Sequence, residues 1–490
     1  MSEFSTRCQQ LIEANNTSVY HISKQTNLER TALHRMAMGR QIPSQDFFDT
    51  FCETLRISPS ERRELLELYL EEKIGREKYQ NRKYILELLE HLAEMEEISV
   101  ESAYYEENLD LFVSSDNRPM VSYSQNRFQT HMLLTSVLGI AFRSDKKQSI
   151  FTNIPSSFSF FMQDLHYFFH CCQNDVNVQH LLTFHSNPHG YKNANCNLEI
   201  LHEILPLALS PFQDYMPYYT YSQYLPADID YLPMPYYLVT NDYVLALSAD
   251  LKSAILHENA ETVYRYREQL KLLFQNAKPL IHYTKTAPEA LHFYGTASLN
   301  SGKISYSLET YPCIASLLPD DRFTRYMTQT IQACYSDRSA VASTVTSLLE
   351  QIKCSLSHSP QVLFSLPGLI RFCQTGKVTG QLACYFPTFS IEDRKKLLNH
   401  MLNLNKGTGI QWHLCREDFK IPAHIHLDLY DQHTLMFSKF CTGFDFRFAF
   451  LDESSIFEAF SDFFSSLEES KLIYSIEETN AIVKKYISQL

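Results

Sequence analysis

Glycine is scarce in this chain, with 12 among 490 residues against a usual share of about 7%. No GxGxxG, GxxxxGK[ST] or GxSxG occurs, so the common phosphate-cradling loops and the serine-hydrolase elbow are absent. No two of the 12 cysteines have CxxC spacing, which removes the usual zinc and dithiol motifs. Basic charge is also short. The 43 Lys and Arg face 56 Asp and Glu, a net −13. That balance excludes a whole-molecule basic footprint for nucleic acid but leaves a local one open. The longest mostly apolar run, residues 131–142, is too short to span a bilayer. No secretory-type apolar stretch follows Met1. The expectation is a cytoplasmic protein with scattered reduced thiols and no membrane partner.

What is present is ordinary globular material. Hydrophobic residues make up 44% of the chain and charged residues 20%. The length allows about three domains and ample buried core.

In the first 75 residues, Phe4, Cys8, Leu11 and Ile12 recur at one helical face. Asn16-Thr17-Ser18 breaks that pattern and offers caps. A short helix over 19–25 turns Ile22 inward. A second, over 29–38, turns Leu33 and Met36 inward and ends at Gly39. Pro43-Ser44 opens a fourth helix with Phe47, Phe48, Phe51 and Leu55. Ser58 and Pro59 supply the cap and first turn of a fifth.

Two short helices joined by a tight turn inside a five-helix unit have the form of a helix-turn-helix. Residues 17–44, TSVYHISKQTNLERTALHRMAMGRQIPS, resemble without a gap the motif of the lambda-repressor/Cro-like (XRE) family. Ser23 falls on that family's small position between the helices. Leu28, Leu33 and Met36 fall on its core positions, and Gly39 with Pro43 on its Gly-x-x-x-Pro ending. Asn27 stands where the family has a turn glycine, and is expected to take the left-handed conformation.

The resemblance implies that 29–38 is a recognition helix, with its first residues in the major groove of double-stranded DNA. Arg30 and Thr31 match the leading base-reading positions. Arg35 matches another, and His34 lies beside it. Arginine can engage a guanine edge bidentately. Lys24 and Arg40 are expected at phosphates, where they add affinity without sequence choice.

Charge agrees with this local reading. Residues 24–42 carry Lys24, Arg30, Arg35 and Arg40 against Glu29 alone, whereas residues 1–57 have six basic and six acidic side chains. An acidic body behind a locally basic face suppresses non-specific DNA binding. Residues 76–107 read as an acidic amphipathic linker helix, a dimer contact or a strut to the next domain.

The fold class expected for the rest is mixed α/β, behind the all-α domain at 1–75. A first α/β lobe covers 108–285, a mainly helical connector 286–359, and a second, similar lobe 360–490. An internal duplication is expected from YLVTNDYVLALS at 237–248 and LDLYDQHTLMFS at 427–438. Each is followed by a strand and a helix. A cleft between two lobes is a natural ligand site.

Residues 215–237 hold eight tyrosines and four prolines. Proline keeps them out of a helix, so the segment reads as a loop. Tyr219, Tyr221 and Tyr224 become candidates to line a pocket for a small-molecule or peptide effector. The alternative is a packed loop strapped over the first lobe. His424, His426 and Asp428 share one face of an expected strand, and His166 and His170 stand four apart on an expected helix. Both sets are geometrically able to bind metal, yet a half-exposed strand and a Phe-rich helix look the same, and no metal is assigned. Cys171 and Cys172 read as buried thiols. No cofactor and no catalytic constellation is implied.

The leading expectation is therefore a homodimeric, non-enzymatic transcriptional regulator with a sensor or oligomerisation body. The alternatives are an enzyme that the helix-turn-helix only tethers or autoregulates, and a protein-interaction module.

Overall fold

The structure is a computed structural model. It describes residues 1–94, 119, 121–172, 174–186, 195–210, 214–222, 233–284, 289, 292–293, 296, 300–312, 317, 360–377, 388–407, 409–440 and 446–490. The chain divides into two compact units, Met1–Lys83 and Tyr84–Leu490.

The first unit is helical: α1 (Glu3–Ala14), α2 (Val19–Gln25), α3 (Arg30–Ala37), α4 (Gln45–Leu55), α5 (Pro59–Ile74) and the start of α6 (Arg76–Glu94). Serine caps set four of these starts. Ser2, Ser18, Ser44 and Ser58 each accept a first-turn backbone N–H, and Ser58 closes a full capping box with Glu61. Such caps satisfy donors that the helix cannot pair internally. The inward stripes of α1, α3, α4 and α5 meet in one core around Phe4, Leu33, Phe48, Phe51 and Tyr69. Phe48 stacks on Tyr69 at 4.6 Å, and the Tyr69 hydroxyl donates to the Pro43 carbonyl at 3.0 Å. A buried phenol thus keeps a partner, as burial of a polar group requires.

The second unit is mixed α/β, with two mixed sheets. The first sheet contains β1 (Tyr123–Ser124), β2 (Gln148–Thr152), β3 (Val176–His185), β4 (Asp214–Ser222), β5 (Tyr236–Val239), β6 (Val244–Leu247), β7 (Ala254–His257) and β8 (Lys278–Pro279). Their order is β1-β7-β6-β5-β2-β3-β4-β8. The second sheet contains β9 (Ile281–Thr284), β10 (Ile304–Glu309), β11 (Gln361–Ser365), β12 (Gln411–Cys415), β13 (Ile425–Tyr430), β14 (Thr434–Phe440) and β15 (Phe446–Leu451). Their order is β12-β11-β10-β13-β14-β15-β9.

Apart from β8, which extends the first sheet beyond β4, the two orders are the same arrangement. Strands β2, β3 and β4 are parallel, as are β10, β11 and β12. The first strand of each set then pairs antiparallel with the fourth, β2 with β5 and β10 with β13. Antiparallel neighbours complete each sheet through β7 and β15. The similar segments at 237–248 and 427–438 fall on the equivalent pairs β5–β6 and β13–β14.

Helices cover these sheets: α7 (Arg127–Phe142), α8 (Ser159–Cys171), α9 (Cys196–Ala208), α10 (Ala260–Gln275), α11 (Leu366–Thr375), α12 (Ile391–Leu404), α13 (Ser454–Ser465) and α14 (Ile476–Gln489). The apolar run at 131–142 lies in α7, which is buried continuously from Leu133 to Phe142. A single core joins α7, α8, α9 and α13 to strands of both sheets. Helix α10 closes a separate cluster with Phe151, Val239, Val244 and Phe274. The edge of β12 is blocked by side chains and a neighbouring segment. Trp412 N–H donates to Asn405 at 2.8 Å, Leu414 N–H to Thr479 at 3.0 Å, and Tyr474 N–H reaches the Leu414 carbonyl at 2.8 Å. An edge paired in this way offers no template to another strand.

Several expectations change. Residues 214–222, read as part of a loop, form strand β4 alongside β3. Proline bars a helix but is tolerated near a sheet edge, and the Pro217 carbonyl still accepts from Leu280 N–H at 2.9 Å. Strand β10 lies within 286–359, read as a mainly helical connector, and sits inside the second sheet between β11 and β13. Residues 318–359 of that connector lie outside the described residues. Beyond the named strands, Cys415 makes one isolated bridge to Ile473.

Candidate nucleic-acid interface

Helix α2 starts at its Ser18 cap and is held by the buried Ile22. The turn into α3 needs no glycine. Asn27 is not in the left-handed region, contrary to the sequence expectation. Thr26 makes the turn instead, in extended backbone. Its hydroxyl donates to the Ile22 carbonyl at 2.8 Å and accepts from Leu28 N–H at 3.2 Å. A side-chain oxygen thus takes over the local bonding that a tight glycine turn would otherwise supply.

Helix α3 buries Leu33, Met36 and Ala37. Its end is a Schellman motif, with Arg40 N–H on the Arg35 carbonyl at 2.8 Å and Gly39 N–H on the Met36 carbonyl at 3.0 Å. Gly39 has φ +66°, and a Cβ there would stand 2.9 Å from Ser5 Oγ of α1. Gln9 of α1 also donates to the Ala37 carbonyl at 2.8 Å. The inner face of α3 is therefore fixed rigidly to α1.

The outer face carries the residues singled out in the sequence. Arg30, Thr31, His34 and Arg35 are all exposed. Arg30 with His34, and Thr31 with Arg35, are four apart and so neighbours on one helix surface. Arg40 is exposed just past the helix end, and Lys24 is exposed on α2. Among the described residues, no carboxylate pairs with Lys24, Arg30, Arg35 or Arg40. The only acidic neighbour in the run, Glu29, is the N-cap residue of α3 and makes no side-chain cap bond.

One residue on this surface escaped the sequence reading. Tyr20, on α2, is 44% exposed. Lys24 Nζ lies 4.8 Å from its ring centroid and the Arg30 guanidinium 5.4 Å. The signal was present, since Tyr20 and Lys24 are four apart on one helix. The Arg30 contact crosses between helices and has no sequence signature.

The tyrosine candidates separate. Tyr219 and Tyr221 lie on one face of β4, with ring centroids 5.8 Å apart. Tyr219 is buried, and its hydroxyl donates to Asp452 Oδ1 at 2.7 Å. Lys278 Nζ stands 3.3 Å from the other oxygen of that carboxylate. Burial would raise Asp452, but the bond from Tyr219 and the charge of Lys278 hold it below the usual carboxylate value. Burial, and then the bond to Asp452, push the Tyr219 phenol well up. Tyr221 is 43% exposed, and burial together with Glu453 and Asp452 raises it to about 12. Tyr224 lies outside the described residues.

The histidine sets do not converge on a metal. No group of three His, Cys, Asp or Glu able to hold one occurs among the described residues. His166 is pushed down to about 4 by burial and by the nearby His91. On β13, His426 Nε2 meets Asp428 at 2.9 Å, Glu309 at 3.5 Å and the Ser307 hydroxyl at 2.9 Å. A serine–histidine–carboxylate relay needs hydroxyl and carboxylate on opposite ring nitrogens. Here they meet the same one, so the cluster is an ion pair and not a relay. Ser307 and Glu309 escaped notice because β10 did, although ISYSLE alternates as a strand should. The thiols at 171 and 172, expected buried, are exposed and half-buried where α8 leaves the core.

No family model matches the chain, and no curated protein does. Among solved structures, it is similar to TrmBL2, an archaeal chromatin protein whose structure shows a novel mode of DNA binding. Identity is 11%, over 54% of this chain and 99% of that one, with a TM-score of 0.20. It is also similar to a phosphatidylserine synthase of Haemophilus influenzae Rd KW20. Identity there is 8%, over 79% of this chain and 97% of that one, with a TM-score of 0.24. Scores this low establish no shared fold, and neither protein's activity informs this chain. No helix among the described residues is long and apolar enough to cross a membrane.

Proposed function

We propose that this chain is a transcriptional regulator that reads double-stranded DNA through a helix-turn-helix, α2 and α3, of the lambda-repressor/Cro-like kind. One observation carries the reading. Arg30, Thr31, His34 and Arg35 form one exposed face of α3, with no carboxylate partner on either arginine among the described residues, while the opposite face is locked to α1. A rigid helix that presents unpaired guanidinium groups suits base edges in the major groove. Lys24 and Arg40 flank that face and neutralise phosphates.

In this reading the protein is cytoplasmic, carries no cofactor and catalyses nothing. The body of residues 84–490 pairs two copies and senses a small-molecule or peptide effector. One helix-turn-helix covers half a site, so the protein binds as a homodimer to near-palindromic DNA with half-sites about one helical turn apart.

Selection of duplexes from a random pool by the purified chain tests the proposal. Enrichment of one near-palindromic sequence supports it. If the pool stays random, or the selected duplex is bound equally after both Arg30 and Arg35 are changed to Ala, the reading is wrong. Light scattering that finds a monomer both free and on DNA would remove the dimer.

A further inference from the structure

We propose that Tyr20 is a positioning residue of this DNA interface: its ring holds the side chains of Arg30 and Lys24 in place before DNA arrives. The inference rests on the DNA-reading proposal and extends it to a residue that the helix-turn-helix resemblance does not single out.

Three observations carry it. First, Tyr20 is a large aromatic left 44% exposed on α2, while Ile22, two residues on, supplies the helix's buried contact. The ring is therefore not part of the core. Second, two cations from different helices share it. Lys24 Nζ stands 4.8 Å from the centroid and the Arg30 guanidinium 5.4 Å, both within the roughly 6 Å at which a cation feels the ring's negative face. Third, no carboxylate pairs with either cation among the described residues. An aromatic ring can restrain a cation without neutralising it, whereas an aspartate or glutamate in the same place would compete with phosphate for it.

The physical consequence concerns entropy. A free arginine or lysine side chain loses much rotamer freedom when it is immobilised on a ligand. A ring that already restrains the two side chains removes part of that loss from the binding step. Both cations keep their full charge while resting near the ring, so an arriving phosphate or guanine edge meets two restrained positive groups at the α2–α3 edge.

The prediction separates the ring from its hydroxyl. Tyr20→Phe keeps the ring and should bind the selected duplex as the wild type does. Tyr20→Leu removes the ring and should weaken binding roughly two- to five-fold for each cation released. Tyr20 lies outside the core, so melting temperature and helix content should stay unchanged in both variants.

The decisive measurement is a double-mutant cycle on the full chain by fluorescence anisotropy, repeated over a salt series. The loss caused by Tyr20→Leu should vanish when Lys24 and Arg30 are already Ala. Three results overturn the proposal. These are an undiminished loss from Tyr20→Leu in that background, an equal loss from Tyr20→Phe, and full affinity in Tyr20→Leu. Failure of the underlying reading looks different, because Arg30→Ala and Lys24→Ala would then bind the duplex as well as wild type does.

Discussion

Half-buried His426 and fully buried Asp428 form an ion pair within a single strand, with His426 Nε2 at 2.9 Å from the carboxylate. The two-residue period of β13 puts both on one face. Glu309 reaches the same nitrogen from β10, so two strands are clamped together. Burial by itself would lower the imidazole. Asp428 and then Glu309 reverse this and raise it to about 9.

That shift sets the sign of a pH dependence. The folded-state value lies above the unfolded value of about 6.5. The clamp therefore stabilises fully below about pH 6.5, and its contribution is lost as pH rises through about 9. The melting temperature should fall across this window in the wild type and fall less in His426→Gln. Equal slopes in the two proteins would show that the clamp does not govern alkaline stability.

At the proposed DNA interface, Arg30→Ala and Arg35→Ala should each cost about 1–3 kcal/mol of specific binding and relax preference at separate base positions. Lys24→Ala and Arg40→Ala should weaken binding to every sequence alike and flatten its salt dependence. Anisotropy titrations on the selected duplex and a scrambled one distinguish the two behaviours. A uniform loss from Arg35→Ala would make that residue a phosphate contact.

Gly39 should tolerate no side chain. Alanine there must take φ +66° and meet Ser5 Oγ at 2.9 Å. The left-handed conformation alone costs about 1–2 kcal/mol. Gly39→Ala should raise hydrogen exchange in α1 and α3 and weaken DNA binding while leaving exchange in the second unit unchanged. Unaltered protection of α3 would count against the Schellman end as its anchor.

Tyr219 and Tyr221 should differ in what they contribute to stability. Tyr219→Phe removes the hydrogen bond to Asp452 that ties β4 to the residue after β15, at a cost of about 1 kcal/mol. Tyr221→Phe, at a half-exposed ring, should stay within about 0.5 kcal/mol. Trp412, the chain's one tryptophan, is fully buried in β12, so its fluorescence during urea unfolding reports both. If an effector occupies the tyrosine face, Tyr221→Phe should also blunt its effect on DNA affinity without changing the urea midpoint. A response unchanged in Tyr221→Phe would locate the effector elsewhere.

The N-terminal helices were legible because their signals are local. Ser18, Ser44 and Ser58 cap donors within three residues, Gly39 ends α3 through its own φ, and the stripe Phe4-Cys8-Leu11 needs only a 3.6-residue period. The same locality misled at Asn27. A side chain able to take the left-handed turn was read as taking it, while Thr26, one residue earlier, met the turn's bonding with its hydroxyl. In the body, the segments at 237–248 and 427–438 were legible as strand, turn and strand, and they fall on β5–β6 and β13–β14.

Only the tertiary structure decided which strands became neighbours. Strand β10 is short and far in sequence from its partners, and its place between β11 and β13 depends on pairing across more than fifty residues on one side and more than a hundred on the other. The clamp follows from that pairing, since Ser307 meets His426 from 119 positions away. The first part of the Tyr/Pro segment, up to residue 222, became a strand because β3 and β8 offered it hydrogen bonds, which no property of its own residues declares. Tyr20 could be placed on α2 from sequence, but the arginine that reaches its ring comes from α3. Local periodicity and capping act within a few residues and can be read along the chain, whereas hydrogen bonds between strands and contacts between helices depend on distances that exist only after folding.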